Sequence, residues 1–145
     1  MANYNGFTRT NYFRVTDEER LRELVSACVC DEDGLELFER TDSDGGKWFG
    51  FGAYGSISGL QVPDDDPDEC SDYDFDLFVS KLQKILPDDD AIIITEVGYE
   101  KLRYLTGYSV IIAKTETRCV ELREESIKAA QELLSNPNFD TVTEY

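Results

Sequence analysis

The sequence predicts an α+β fold: an antiparallel or mixed β-sheet with about three helices, in the order strand, helix, meander, helix, three strands, helix. Three observations carry this. Apolar residues recur at helical spacing within 17–27, 72–86 and 124–134. Runs rich in β-branched and aromatic residues lie between them, closed by Asp-Gly and Gly-Gly turns. Those strands come in groups, a meander and then a set of three, as antiparallel pairing favours. A chain of 145 residues is most simply one domain, 1–145, with 1–10 a polar lead-in and 138–145 a tail.

Taken in order, Asn5-Gly6 favours a turn, and Asn11–Val15 alternates Tyr12 and Arg14 with Phe13 and Val15 as a short strand. Thr16 is the expected N-cap, with Glu19 at the capping-box position. Asp17, Glu18 and Glu19 suit the positive end of a helix dipole. Leu21, Leu24, Val25 and Cys28 then continue a helix from Asp17 to about Ala27. Asp31–Gly34 is a turn, Leu35–Arg40 a strand, and Thr41–Gly46 the next turn. Lys47–Ala53 is a second strand whose glycines permit bending or close approach, and Tyr54–Val62 a third.

Gln61–Ser71 is an acidic loop kept extended by Pro63 and Pro67. Ser71 or Asp72 caps a helix to about Leu86, with Phe75, Phe78, Val79, Leu82, Ile85 and Leu86 on one face. Ala91–Val97 is an apolar, β-branched central strand. Gly98–Leu102 turns the chain, and Arg103–Lys114 is a long strand with Gly107 as a bulge. Arg118–Leu122 follows. The last helix, Glu124–Leu134, aligns Ile127, Ala130, Leu133 and Leu134 and stops before Pro137.

The charge is strongly one-sided, with 31 acidic against 14 basic residues and a net charge of −17. Such a surface repels nucleic acid and anionic membrane and attracts basic proteins or cations. The excess is concentrated: residues 61–98 hold 12 acids against 2 bases. Met1–Gly6 lacks the apolar run of a signal peptide, no stretch approaches a bilayer span, and four cysteines make no disulfide-dense pattern. A cytoplasmic protein is expected.

Most catalytic chemistries lack a required part. There is no histidine, which removes the commonest general base, metal ligand and partner of a nucleophilic Ser or Cys. Cys28, Cys30, Cys70 and Cys119 allow a four-cysteine zinc site, but small buried hydrophobes are the simpler reading. Asp72-Tyr73-Asp74-Phe75-Asp76 begins like a calcium loop, yet Leu77 and Gln83 stand where that loop needs Gly and Glu. Gly50-Phe51-Gly52 lies inside a strand and does not match a dinucleotide fingerprint. Tyr12, Phe13, Trp48, Phe49, Phe51 and Tyr54 could stack bases, but a sheet core explains them better and no basic face accompanies them. No cofactor and no metal is expected. A carboxylate-based enzyme stays open as an alternative, because paired acids meet only in the fold.

The acids themselves are the leading candidate site: Asp64, Asp65, Asp66, Asp68, Glu69, Asp72, Asp74 and Asp76, with Asp88, Asp89 and Asp90 one helix later. Carboxylates at i, i+2 on an extended chain stand roughly 6.5–7 Å apart. At i, i+4 on a helix the spacing is roughly 5–6 Å. Both approximate the spacing of neighbouring phosphates on a DNA strand. Clustering so many like charges costs stability through self-repulsion, which solubility alone does not require.

Tyr4–Asp17 (YNGFTRTNYFRVTD) and Glu96–Tyr108 (EVGYEKLRYLTGY) resemble small acidic accessory proteins of phages and conjugative elements. In size and charge the chain is similar to anti-restriction and anti-CRISPR inhibitors, several families of which mimic DNA. That resemblance implies a basic nucleic-acid-binding partner, such as a host defence nuclease. The expected function is therefore non-enzymatic inhibition of that partner through the acidic surface, without direct contact to nucleic acid or membrane. An acidic protein-interaction module without mimicry is the first alternative.

Overall fold

The computed structural model describes residues 4–32, 34–62, 72–102 and 104–141. Its elements run β1 (Asn5–Thr10), α1 (Glu18–Ala27), β2 (Val29–Cys30), β3 (Glu36–Thr41), β4 (Lys47–Tyr54), β5 (Ile57–Gln61), β6 (Tyr73–Asp74), α2 (Phe75–Gln83), β7 (Ile92–Glu100), β8 (Tyr104–Ile112), β9 (Thr117–Glu121) and α3 (Leu122–Leu134). The fold is α+β as expected. A six-stranded sheet has the order β3-β4-β1-β7-β8-β9, and a small sheet has the order β2-β5-β6. Each pairing is antiparallel.

Strand parity makes one face of the large sheet apolar. Phe49 and Phe51 of β4, Ile92 and Ile94 of β7, and Val110 and Ile112 of β8 are all buried. They meet Leu21, Leu24 and Val25 of α1 and Phe78, Val79 and Leu82 of α2 in one hydrophobic cluster. Phe51 is its pivot, edge-on to Phe13 at 5.9 Å and to Phe78 at 5.8 Å between ring centroids. Asp17 caps α1 by accepting the Arg20 N–H at 3.0 Å. Thr16, the expected cap, is already committed: its N–H and hydroxyl both donate to the Ile85 carbonyl. That pair of bonds ties the start of α1 to the end of α2.

The first strand differs from the reading of the sequence. Asn5–Thr10, whose sequence reads as a polar lead-in, is a central strand between β4 and β7. Of Asn11–Val15 only Phe13 makes a bridge, to Phe49. The reason is that β1 turns two threonines inward, Thr8 and Thr10, whose hydroxyls are spent on the Gly55 and Asn11 carbonyls. A buried face built of satisfied threonines carries little hydrophobic signal. Gly98 does not turn the chain but lies within β7, and Gly107 pairs in register with Val97 instead of bulging. The N-terminal cap of α2 is Asp74, two residues beyond Asp72; Ser71 lies outside the described residues.

The third helix also differs. It begins at Leu122 and packs chiefly against β8 and β9. Gly107 opens the space, because a Cβ there would meet the Leu122 side chain at 3.1 Å. Gly107 pairs with exposed Val97, so this contact is on the sheet face opposite α1 and α2. None of its residues is fully buried, and Leu133 is 87% exposed. No helix among the described residues is long and apolar enough to cross a membrane.

Candidate functional site

The end of the acidic stretch that the structure describes is firmly held. Val62 N–H donates to the Asp72 carbonyl at 2.9 Å, and Tyr73–Asp74 pair with Gln61 and Leu60 of β5. This approach requires Gly59, whose φ is +117° and whose missing side chain makes room for the Asp74 backbone. The Asp74 carboxylate accepts the Leu77 N–H at 3.2 Å and starts α2. Asp76, in the first turn, is exposed beside the positive end of the helix dipole. Asp72 is exposed too. Among the described residues, no Lys or Arg lies within ion-pair distance of Asp72, Asp74 or Asp76. Asp64, Asp65, Asp66, Asp68 and Glu69 lie outside the described residues, as does Cys70.

Several other acids are compensated. Glu18 and Glu39 share Arg22 and Lys47, with Arg22 Nη2 at 2.8 Å from Glu18 and 2.9 Å from Glu39. The Arg22 hydrogen bond holds the Glu18 carboxyl below its ordinary value. Asp89 and Asp90 belong to this compensated class, and Asp88 does so only loosely. Asp90 accepts the Arg14 N–H at 2.7 Å and the Ala91 N–H at 2.8 Å. Asp89 meets Arg14 Nη2 at 3.0 Å, and Asp88 stands 3.7 Å from Lys114 Nζ. Arg14 in turn lies over the Trp48 ring at 5.2 Å. Three consecutive aspartates read as a bare field in sequence. The fold brings Arg14 and Lys114 to them, so only Asp88, 93% exposed, resembles the freely presented acids of the first cluster.

A second feature carries no motif in the sequence. Between α2 and the inner face of β7–β9 is a cleft of about 390 Å³. Ile57, Phe75, Val79, Ile94 and Val110 form apolar walls; Asp76 and Glu96 both line it. Glu96 is only 5% exposed and is held by three hydroxyl donors. Tyr4 and Ser56 donate to Oε2 at 2.8 and 3.0 Å, and Tyr108 donates to Oε1 at 3.0 Å. The Tyr4 ring reaches Glu96 by covering the facing pair Gly6 and Gly98, where any Cβ would collide with it. Burial and the Glu96 charge push the Tyr108 phenol up to about 12; Tyr4 is raised by burial and by its bond to Glu96. Both phenols therefore stay protonated donors at neutral pH. The sequence signal for Glu96 was its parity with Ile92 and Ile94 in an apolar strand.

Cysteine geometry favours the simple reading. Cys28 is buried, Cys30 half-buried, and Cys119 exposed on β9. The neighbouring Cys30 thiol and then burial raise the Cys28 thiol, while Cys28 lowers that of Cys30. Among the described residues, no group of three or more Cys, Asp or Glu could hold a metal ion. The candidate base-stacking aromatics divide between the two sides of the sheet. Phe13, Phe49 and Phe51 are core, whereas Tyr54 is exposed and Tyr12 lies beneath the Arg9 and Arg40 guanidinium groups.

The outer sheet face is apolar near its centre. Phe7, Val97, Tyr99, Leu105 and Leu122 surround a shallow groove, each at least half exposed. No protein-family model, no curated protein and no solved structure matches this chain.

Proposed function

We propose that this protein is a non-enzymatic inhibitor of a basic nucleic-acid-binding protein in the bacterial cytoplasm, such as a restriction or CRISPR effector. It would act by presenting an acidic surface to the groove that otherwise holds DNA. The observation that carries this reading is the contrast in compensation. Among the described residues Asp72, Asp74 and Asp76 have no cation within ion-pair distance, while Glu18, Glu39, Asp89 and Asp90 are paired by the protein's own arginines and lysines. Directly before these free acids the sequence supplies five more, from Asp64 to Glu69. A positive groove would gain counterion release and fast, steered association from such a surface.

The test is binding of the purified chain to a panel of purified restriction and CRISPR effectors at low and high salt, with and without duplex DNA. Mimicry predicts salt-sensitive binding, displacement by DNA, and loss when Asp64, Asp65, Asp66, Asp68, Asp72 and Asp76 are changed together to Asn. Binding indifferent to salt and to DNA would overturn it. A second reading, an interaction module without mimicry, is favoured by the exposed apolar groove around Val97 and Leu105. It predicts that Val97→Asp abolishes binding and that DNA does not compete.

A further inference from the structure

The Glu96 carboxylate is buried without a counter-charge. Its donors, Tyr4, Ser56 and Tyr108, are neutral hydroxyls, and no Lys or Arg lies within ion-pair distance among the described residues. Such burial is costly and is ordinarily offset by a cation. A carboxylate offers about four acceptor positions. Oε2 takes two hydroxyls and Oε1 takes one, which leaves one position on Oε1. The cleft in front of Glu96, at about 390 Å³, lies at the small end of ligand pockets, which run from about 300 to 1,000 Å³. Its walls are mostly apolar, and the second carboxylate on it is Asp76.

These features select a ligand. Charge balance calls for a cation, and the walls call for an apolar stem. A guanidinium fork needs two parallel acceptors on one carboxylate, but only one position is open. A compact ammonium needs one acceptor there and directs its remaining protons elsewhere. We propose that this cleft binds a primary alkylammonium group, with its nitrogen at Glu96 Oε1 and its stem against Phe75, Val79 and Val110. The same chemistry is offered by a free small amine and by a lysine side chain of a partner protein. The proposal does not depend on DNA mimicry: Asp76 on the cleft wall is shared with that reading, but Glu96, which takes the nitrogen, and Phe75, Val79 and Val110, which take the stem, have no part in it.

The experiment is an NMR titration of the full chain with n-pentylammonium chloride at pH 7 and constant ionic strength. Saturable shifts at Ile94, Tyr108 and Val110 are expected. n-Pentanol should produce none of them, and n-pentylguanidinium should bind at least fivefold more weakly. Glu96→Gln should weaken amine binding at least tenfold. Cys119→Trp, which fills the cleft from an exposed edge-strand position and leaves Glu96 in place, should do the same. If Glu96→Gln does not fold, Cys119→Trp decides the matter. The absence of saturable shifts, equal binding of pentanol or of the guanidinium, or undiminished amine binding in a folded variant each overturns the proposal. N-acetyl-lysine N-methylamide distinguishes the sources. Binding as tight as pentylammonium assigns the cleft to a partner's lysine, and tenfold weaker binding assigns it to a free amine.

Discussion

Replacing Asp90 by alanine separates acids that build the fold from acids available to a partner. Asp90 accepts two backbone N–H groups, from Arg14 at 2.7 Å and Ala91 at 2.8 Å, and is largely shielded from water. Losing the acceptor strands both donors, each at about 1–1.5 kcal/mol for a partly buried site. The ion pair with exposed Arg14 adds under about 1 kcal/mol. The expected loss is thus about 2–4 kcal/mol, or a fall in Tm of about 6–16 °C for a chain of this size. Asp88→Asn is the control, because Asp88 makes only a long, exposed contact with Lys114. It should change stability by less than about 0.5 kcal/mol. Thermal and urea unfolding followed by circular dichroism measure both. An Asp90→Ala shift under roughly 2 °C, or one no larger than that of Asp88→Asn, would refute the assignment of Asp90 as a structural clamp.

Three further outcomes are expected. Gly98→Ala should cost about 1–3 kcal/mol by driving the Tyr4 ring off the Gly6–Gly98 pair, and should make the Tyr4 phenol titrate earlier by absorbance at 295 nm. Tyr108 and Tyr4 are raised above their ordinary 10.0 in the folded state, so the unfolded chain releases these protons first. Stability should therefore be complete below pH 10 and fall as pH climbs toward about 12, with a weaker fall in Tyr108→Phe. Asp42 shows the opposite sign. The Trp48 indole N–H at 2.9 Å, then the Gly46 N–H, lower its carboxyl below the ordinary 3.8. The stability advantage of the parent over Asp42→Asn should hold above that pH and shrink as pH falls below it, as measured by urea midpoints across the acid range.

Local rules made part of this protein legible. The i, i+3, i+4 spacing of Leu21, Leu24 and Val25 located α1, and that of Phe75, Phe78 and Val79 located α2. The Thr41–Gly46 turn set the β3–β4 hairpin, whose register runs from Thr41 opposite Lys47 to Glu36 opposite Gly52. The helix over 122–134 was legible as a helix but not as a surface one, because burial depends on what the sheet leaves uncovered. β1 is not legible in the sequence because its inward threonines satisfy themselves on backbone carbonyls and leave no apolar period.

The candidate site divides the same way. Composition alone determined the sign and the place of the charge, since net charge and its concentration in residues 61–98 do not depend on folding. Which acids remain uncompensated was decided only by tertiary structure. Arg14 reaches Asp89 and Asp90 across some 75 positions of chain, and Tyr4 reaches Glu96 across 92. Spacing rules describe neighbours along one strand or one helix turn. They carry no information about a strand order that sets β1 between β4 and β7, and it is that order which brings distant cations and hydroxyls to particular carboxylates.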